Sequence, residues 1–306
     1  MCHTGRSSLG TVTSGATKIV ETTSYGRPAT EALARAIAAA QADDPLAPVT
    51  VVVSSNFAGL VARRMLGSGA LASSGVARGI ANVAFLTPFR LAELLAAGRL
   101  GDRRPLTNPV LAAAVRVSLA QDAHHFAPVA DHHATERALA QLSGELSNVS
   151  DAALDRVSTA SQAARSAVDF HRSVQARLVD HHDEADVAAA AVDRLDAAGD
   201  RLDGADTGEG LGSVIWHLPS PMAAPLRRLM QALCRAGRLT AIVGLTGALD
   251  ADQPIIDLCR GVGLEIEPGD RTDSSIEVPT ADRIVSVTDA DEEVRAVVRS
   301  IVEHAS

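Results

Sequence analysis

Short apolar runs alternate along this chain with longer stretches in which apolar residues recur at spacings of three and four. The runs at residues 18–23, 49–54, 80–86, 213–218, 239–244 and 264–267 read as strands. The periodic stretches over 29–40, 57–66, 89–97, 223–236 and 253–261 read as helices. A strand such as 49–54 is a nearly continuous apolar run, which suits a parallel sheet covered on both faces, and the strand–helix alternation predicts right-handed crossovers.

Two regions depart from the alternation. Between residues 100 and 206 the pattern is helical only, with Ala-rich periodic stretches at 108–120, 134–146, 151–179 and 183–198, so a helical subdomain is expected to be inserted there. Ser150 is placed to cap the third of these stretches and Gly199 to end the last. The Gly-rich acidic residues 203–212 read as the link back to the sheet. Residues 1–16, rich in Ser, Thr and Gly, are expected to be a disordered leader. The predicted organisation is one α/β domain from 17–99 plus 207–280, an insertion at 100–206, and at 281–306 a strand (283–288) and helix (291–303) that open a second domain cut short.

Composition narrows the class. The chain has 306 residues, 46% of them hydrophobic but only 2% aromatic, so its core is expected to be built from Ala, Val, Leu and Ile. A net charge of −9 argues against a general phosphate-binding coat, and nucleic-acid contact would have to be local, for instance at Arg63 and Arg64. The three cysteines form no CxxC pair, and the polar N-terminus lacks a signal-peptide core, so reduced thiols, no membrane span and a cytoplasmic location are expected.

The turn after the first predicted strand is where nucleotide-binding folds hold phosphate, because helix N–H groups and the helix dipole converge there. Laid over Thr23-Ser24-Tyr25-Gly26-Arg27-Pro28-Ala29-Thr30, the pattern GxxxxGK[ST] loses its first glycine to Thr23, its second to Pro28 and its lysine to Ala29. Only Thr30 survives. The same residues also suit an ordinary βα turn in which Gly26 supplies the tight bend.

Taken in order, seven segments carry a resemblance. They are TSYGRPATEAL at 23–33, VTVVVSSNFAGLVARRML at 49–66, FLTPFRLAELLA at 85–96, DEADVAAAA at 183–191, VIWHLPS at 214–220, VGLTG at 243–247 and DADEEVRAVVR at 289–299. Together they resemble the helicase-like region of actinobacterial AddB-like and RecB-like proteins of the PD-(D/E)XK nuclease family, whose motor is of superfamily 1. The resemblance implies an α/β fold with a parallel sheet of P-loop NTPase type. It implies a degenerate nucleotide site at Thr23, Gly26, Arg27, Pro28, Ala29 and Thr30. Single-stranded DNA is implied at Ser54, Ser55 and Asn56, with Arg63 and Arg64 nearby, and a helicase subunit is the implied protein partner. Residues 214–219 would stand at the Walker B strand and 243–247 at the coupling motif. A Walker B strand needs an Asp for Mg²⁺ and this one offers Trp216, His217, Leu218 and Pro219, so ATP hydrolysis, a bound cofactor and catalysis are not expected. The family's nuclease site would lie beyond Ser306.

Rival chemistries have little to stand on. The adjacent histidines His124-His125, His132-His133 and His181-His182 point about 100° apart on a helix, unlike an i, i+4 metal pair, so no metal site is expected. There is no GxSxG elbow and no GxGxxG turn. A protein-interaction scaffold that binds no nucleic acid is the alternative that remains.

Overall fold

The computed structural model describes residues 19–68, 80–122, 124–198, 210–266 and 285–305. The expected leader at 1–16, most of the 203–212 link and the 268–281 stretch lie outside the described residues. The chain divides into two units, Met1–Thr272 and Asp273–Ser306.

In the first unit five of the six predicted strands form one sheet. β1 (Ile19–Thr23), α1 (Arg27–Ala40), β2 (Val49–Val52), α2 (Asn56–Gly67), β3 (Val83–Leu86) and α3 (Pro88–Ala96) follow one another as three strand–helix units. The insert then runs through β4 (Arg104–Pro105), α4 (Asn108–Asp122), a 3-10 helix (His124–Val129), α5 (His133–Leu146), α6 (Asp151–Ser158), α7 (Gln162–Ala176) and β5 (His181–His182). After α8 (Glu184–Ala198) the chain returns through β6 (Ser213–His217), α9 (Ala224–Arg235), β7 (Leu239–Gly244) and α10 (Leu249–Val262).

The sheet is parallel at every pairing, in the order β1-β7-β6-β2-β3. Side-chain alternation sends Val214 and Trp216 of β6 to one face and Ile215 to the other. The first face packs α3, α8, α9 and α10. The second packs α1 and α2, through Leu33, Ile37, Ala62 and Leu66 among others. Burial on both faces explains why the inner strands β2, β6 and β7 read as nearly continuous apolar runs.

The insert has its own core, in which Val115, Leu119, Leu139, Phe170 and Val174 meet, with Phe126 edge-on to Phe170 at 5.7 Å. α8 lies instead in the sheet's core through Val187, Ala191 and Leu195. A short parallel clasp ties the two ends of the insert together, Arg104 N donating to Asp180 O and Leu106 N to His182 O.

Four expectations are corrected. The region 100–206 is not helical only, since Arg104–Pro105 and His181–His182 pair as strands, which puts that histidine pair on a strand and not on a helix. The stretch 151–179 is two helices, broken at Thr159 and Ala160, with Ser161 Oγ accepting from Ala164 N to start α7. Of the run predicted at 264–267, the described residues 264–266 carry no strand. Gly263 adopts φ 95° after α10, its N–H donates to Arg260 O and that of Leu264 to Cys259 O, a Schellman end that buries Leu264 beside the helix. In the second unit, residues 285–289 carry no strand, while α11 (Ala290–Ala305) forms as expected with acidic residues in its first turn. Residues 283 and 284 of that predicted strand lie outside the described residues.

Candidate functional site

The carboxyl ends of β1, β7 and β6 lie side by side, and α1 begins directly above them. Register places Thr23 beside Gly244 and His217 beside Ile242, and alternation puts these four positions on the α1 face, where Ile242 packs. This is the edge of a parallel α/β sheet where ligands ordinarily bind.

The β1–α1 turn is built around Gly26, the residue before the helix, at φ 83° and ψ −133°, a conformation open to glycine alone. Its carbonyl accepts from both the N–H and the Oγ1 of Thr30, each at 3.2 Å. The one hydroxyl left over from the phosphate-loop pattern is therefore turned onto its own helix, with Met65 Sδ at 3.8 Å as its other neighbour. Ala29 is buried, Pro28 supplies no N–H, and Arg27 pairs along the surface with Glu31 at 2.9 Å. Thr23 is buried, its hydroxyl donating to Ser24 O.

Tyr25, though 45% exposed, lays its ring against the end of β7. A Cβ on Gly244 would stand 2.6 Å from the Tyr25 ring and 2.8 Å from Leu218, so the ring lies flush on strand β7 only because residue 244 has no side chain. Burial raises the phenol's pKa, helped by the charge of Asp252 and by Cys259.

At the end of β6, where the resemblance would put a metal-binding acid, His217 is 7% exposed and its Nδ1 is buried without a hydrogen-bond partner. Burial lowers its pKa to about 4, so the ring is neutral at pH 7. Leu218 follows at φ 52°.

A carboxylate whose charge acts on Tyr25 was not singled out in the sequence. Asp252, buried on α10, accepts from Thr246 N at 2.7 Å, Thr246 Oγ1 at 2.8 Å and Gly247 N at 2.9 Å. It holds the loop after β7 and has three donors already. An Asp just before the predicted 253–261 helix was the signal that could have found it.

The predicted DNA contacts lie one strand further along the same edge. Ser54, Ser55 and Asn56 are exposed, and Ser55 Oγ caps α2 by accepting from Ala58 N at 3.1 Å. Arg63 lies over the Phe85 ring at 5.4 Å, and Arg64 is exposed in the last turn of α2. Seven residues before Arg64, on the same side of the helix, Phe57 is 74% exposed, with Leu60 and Val61 also exposed between them. The sequence reading did not single out Phe57, although its place in the outward phase of α2 was the available signal.

Among the described residues no group of three or more His, Cys, Asp or Glu side chains could hold a metal ion, and no helix is long and apolar enough to cross a membrane. Compared with known proteins, the chain matches no family model and no curated protein.

Proposed function

We propose that this chain is a non-catalytic, helicase-like scaffold of a DNA repair or recombination helicase–nuclease. In this reading the first unit is a P-loop NTPase-type domain without a working nucleotide site, and its α2 edge positions single-stranded DNA or a partner motor subunit. The protein acts in the cytoplasm and neither hydrolyses ATP nor cuts DNA through these residues.

The observation that carries the reading is the pairing of a motor-like frame with a disabled centre. β7 stands between β1 and β6, so the three loops that would hold phosphate, metal and coupling residues meet at one edge. At that edge a buried neutral His217 replaces the acid, Ala29 is apolar, and Tyr25 covers Gly244. Phosphoryl transfer depends on positioned charge, and neither the metal ligand nor the lysine is present. The exposed Phe57 and Arg64 give α2 a stacking ring and a cation on one side, the pair that single strands use.

Two assays test it. Purified protein with single-stranded DNA should release no phosphate from ATP above background; turnover of about 1 per second would overturn the reading. Oligonucleotide binding, followed by fluorescence anisotropy, should weaken with salt and fall when Phe57, Arg63 and Arg64 are replaced by Ala. The exposed apolar residues Phe57, Leu60 and Val61 favour the second reading, a scaffold for protein partners alone. That reading is the correct one if DNA binding is absent at low salt.

A further inference from the structure

Away from the strand-end site, a recess of about 540 Å³ opens where the insert meets the sheet's helical layer. The ends of α5 and α6 and one side of α7 form one wall, and α8 and α9 form the other. Its volume falls in the range of small-molecule sites.

The recess is built around a buried imidazole. His171 is 5% exposed, and its Nδ1 is held at 3.0 Å by the Ser143 hydroxyl, itself buried on α5. That contact fixes the ring and leaves Nε2 without a partner among the described residues, on a side chain that lines the recess. Burial lowers the ring's pKa, opposed by the charge of Asp183 and aided by that of Arg172, with Asp151 also acting to raise it, so both carboxylates and one cation lie near the ring.

The charged lining of the recess is mostly acidic. Asp151, Asp183, Asp186 and Asp193 line the recess with a single cation, Arg228. Asp186 is bound to Arg103 at 3.0 Å, and Asp183 and Asp186 cap each other's backbone N–H groups. None of Asp151, Asp183 and Asp193 forms an ion pair among the described residues. Carboxylates on opposite walls, Asp151 on α6 and Asp193 on α8, suit a ligand with a positive group at each end.

We propose that this recess binds a small organic dication of the diamine class, its ammonium groups held by Asp151 with Asp183 and by Asp193, and its chain lying past His171. This site is independent of the strand-end edge and of the DNA-scaffold reading.

The test is titration of the full chain with putrescine by calorimetry, together with NMR of the histidine ring protons. One saturable site with a dissociation constant of about 0.1–1 mM is expected, with the His171 signals moving in step. Because the whole chain is acidic, charge alone must be controlled. The double variant D151N/D193N should bind about tenfold or more weakly, whereas D43N/D250N, which removes two exposed carboxylates elsewhere, should bind as the wild type does. The proposal is overturned by no saturation up to about 10 mM, by equal weakening in both double variants, or by His171 signals that do not move in the wild-type protein.

Discussion

At the scale of single residues, the strand-end edge holds groups whose ionisation can be followed one at a time. His217 sits neutral at a pKa of about 4 against its usual 6.5. Above pH 6.5 the ring is neutral whether the chain is folded or not; as pH falls from 6.5 towards 4 the unfolded chain takes up the proton first. Stability present at neutral pH is therefore lost across that window, by about 3 kcal/mol at its lower end. Urea unfolding at a series of pH values should show this slope, and His217→Leu should flatten it. Tyr25 is the only tyrosine, so ultraviolet titration reads its phenol alone. The wild-type phenol should titrate above 10, and Asp252→Asn, which removes a neighbouring charge, should bring it down. Gly244→Ala should push the ring outward, lower the same pKa and cost about 1 kcal/mol; an unmoved titration curve would mean that Tyr25 does not lie on β7.

At the scale of elements, helix starts separate what the sequence could reveal from what it could not. Ser150 and Ser161 both precede helices, but only Ser161 makes a side-chain bond to its helix. Ser161→Ala should cost about 1 kcal/mol and Ser150→Ala much less, as chemical denaturation would measure. The inner strands β2, β6 and β7 were legible because a parallel strand buried on both faces leaves a nearly continuous apolar run, whereas the edge strand β1 was legible from its β-branched residues. The break between α6 and α7 was not, because Thr159-Ala160 contains neither Gly nor Pro and Ala favours helix on either side. The run at 264–266 misled because an apolar residue after a helix has two uses, as a strand or as the plug of a Schellman end, and only tertiary packing chooses. In the site, residue types alone gave the missing lysine and acid. The inward turn of Thr30 and the grip of Asp252 on the 246–247 loop depend on side-chain direction, which no spacing encodes.

At the scale of the whole molecule, the two units make separable predictions. Ending the chain at Thr272 should leave the first unit's cooperative unfolding, read from buried Trp216, within about 0.5 kcal/mol of the full chain. α11 carries Val294, Val297, Val298, Ile301 and Val302 as an exposed apolar stripe. The full chain should therefore associate with rising concentration in sedimentation velocity, and the shortened one should not. The insert has a further consequence, in time rather than in energy. β2 pairs with β6 across it, and Thr50 on β2 bonds Leu211 across a separation of 161 residues, whereas the insert's own core closes over the shorter span from Leu106 to Leu178. Loop closure over such a distance is slow, so the helices of the insert should collapse first and wait for β6 to thread between β2 and β7. In stopped-flow refolding, far-ultraviolet ellipticity should rise ahead of Trp216 fluorescence, since that indole is sealed in only when the sheet closes. Coincident phases would mean that the chain finds its central strand as early as its local helices.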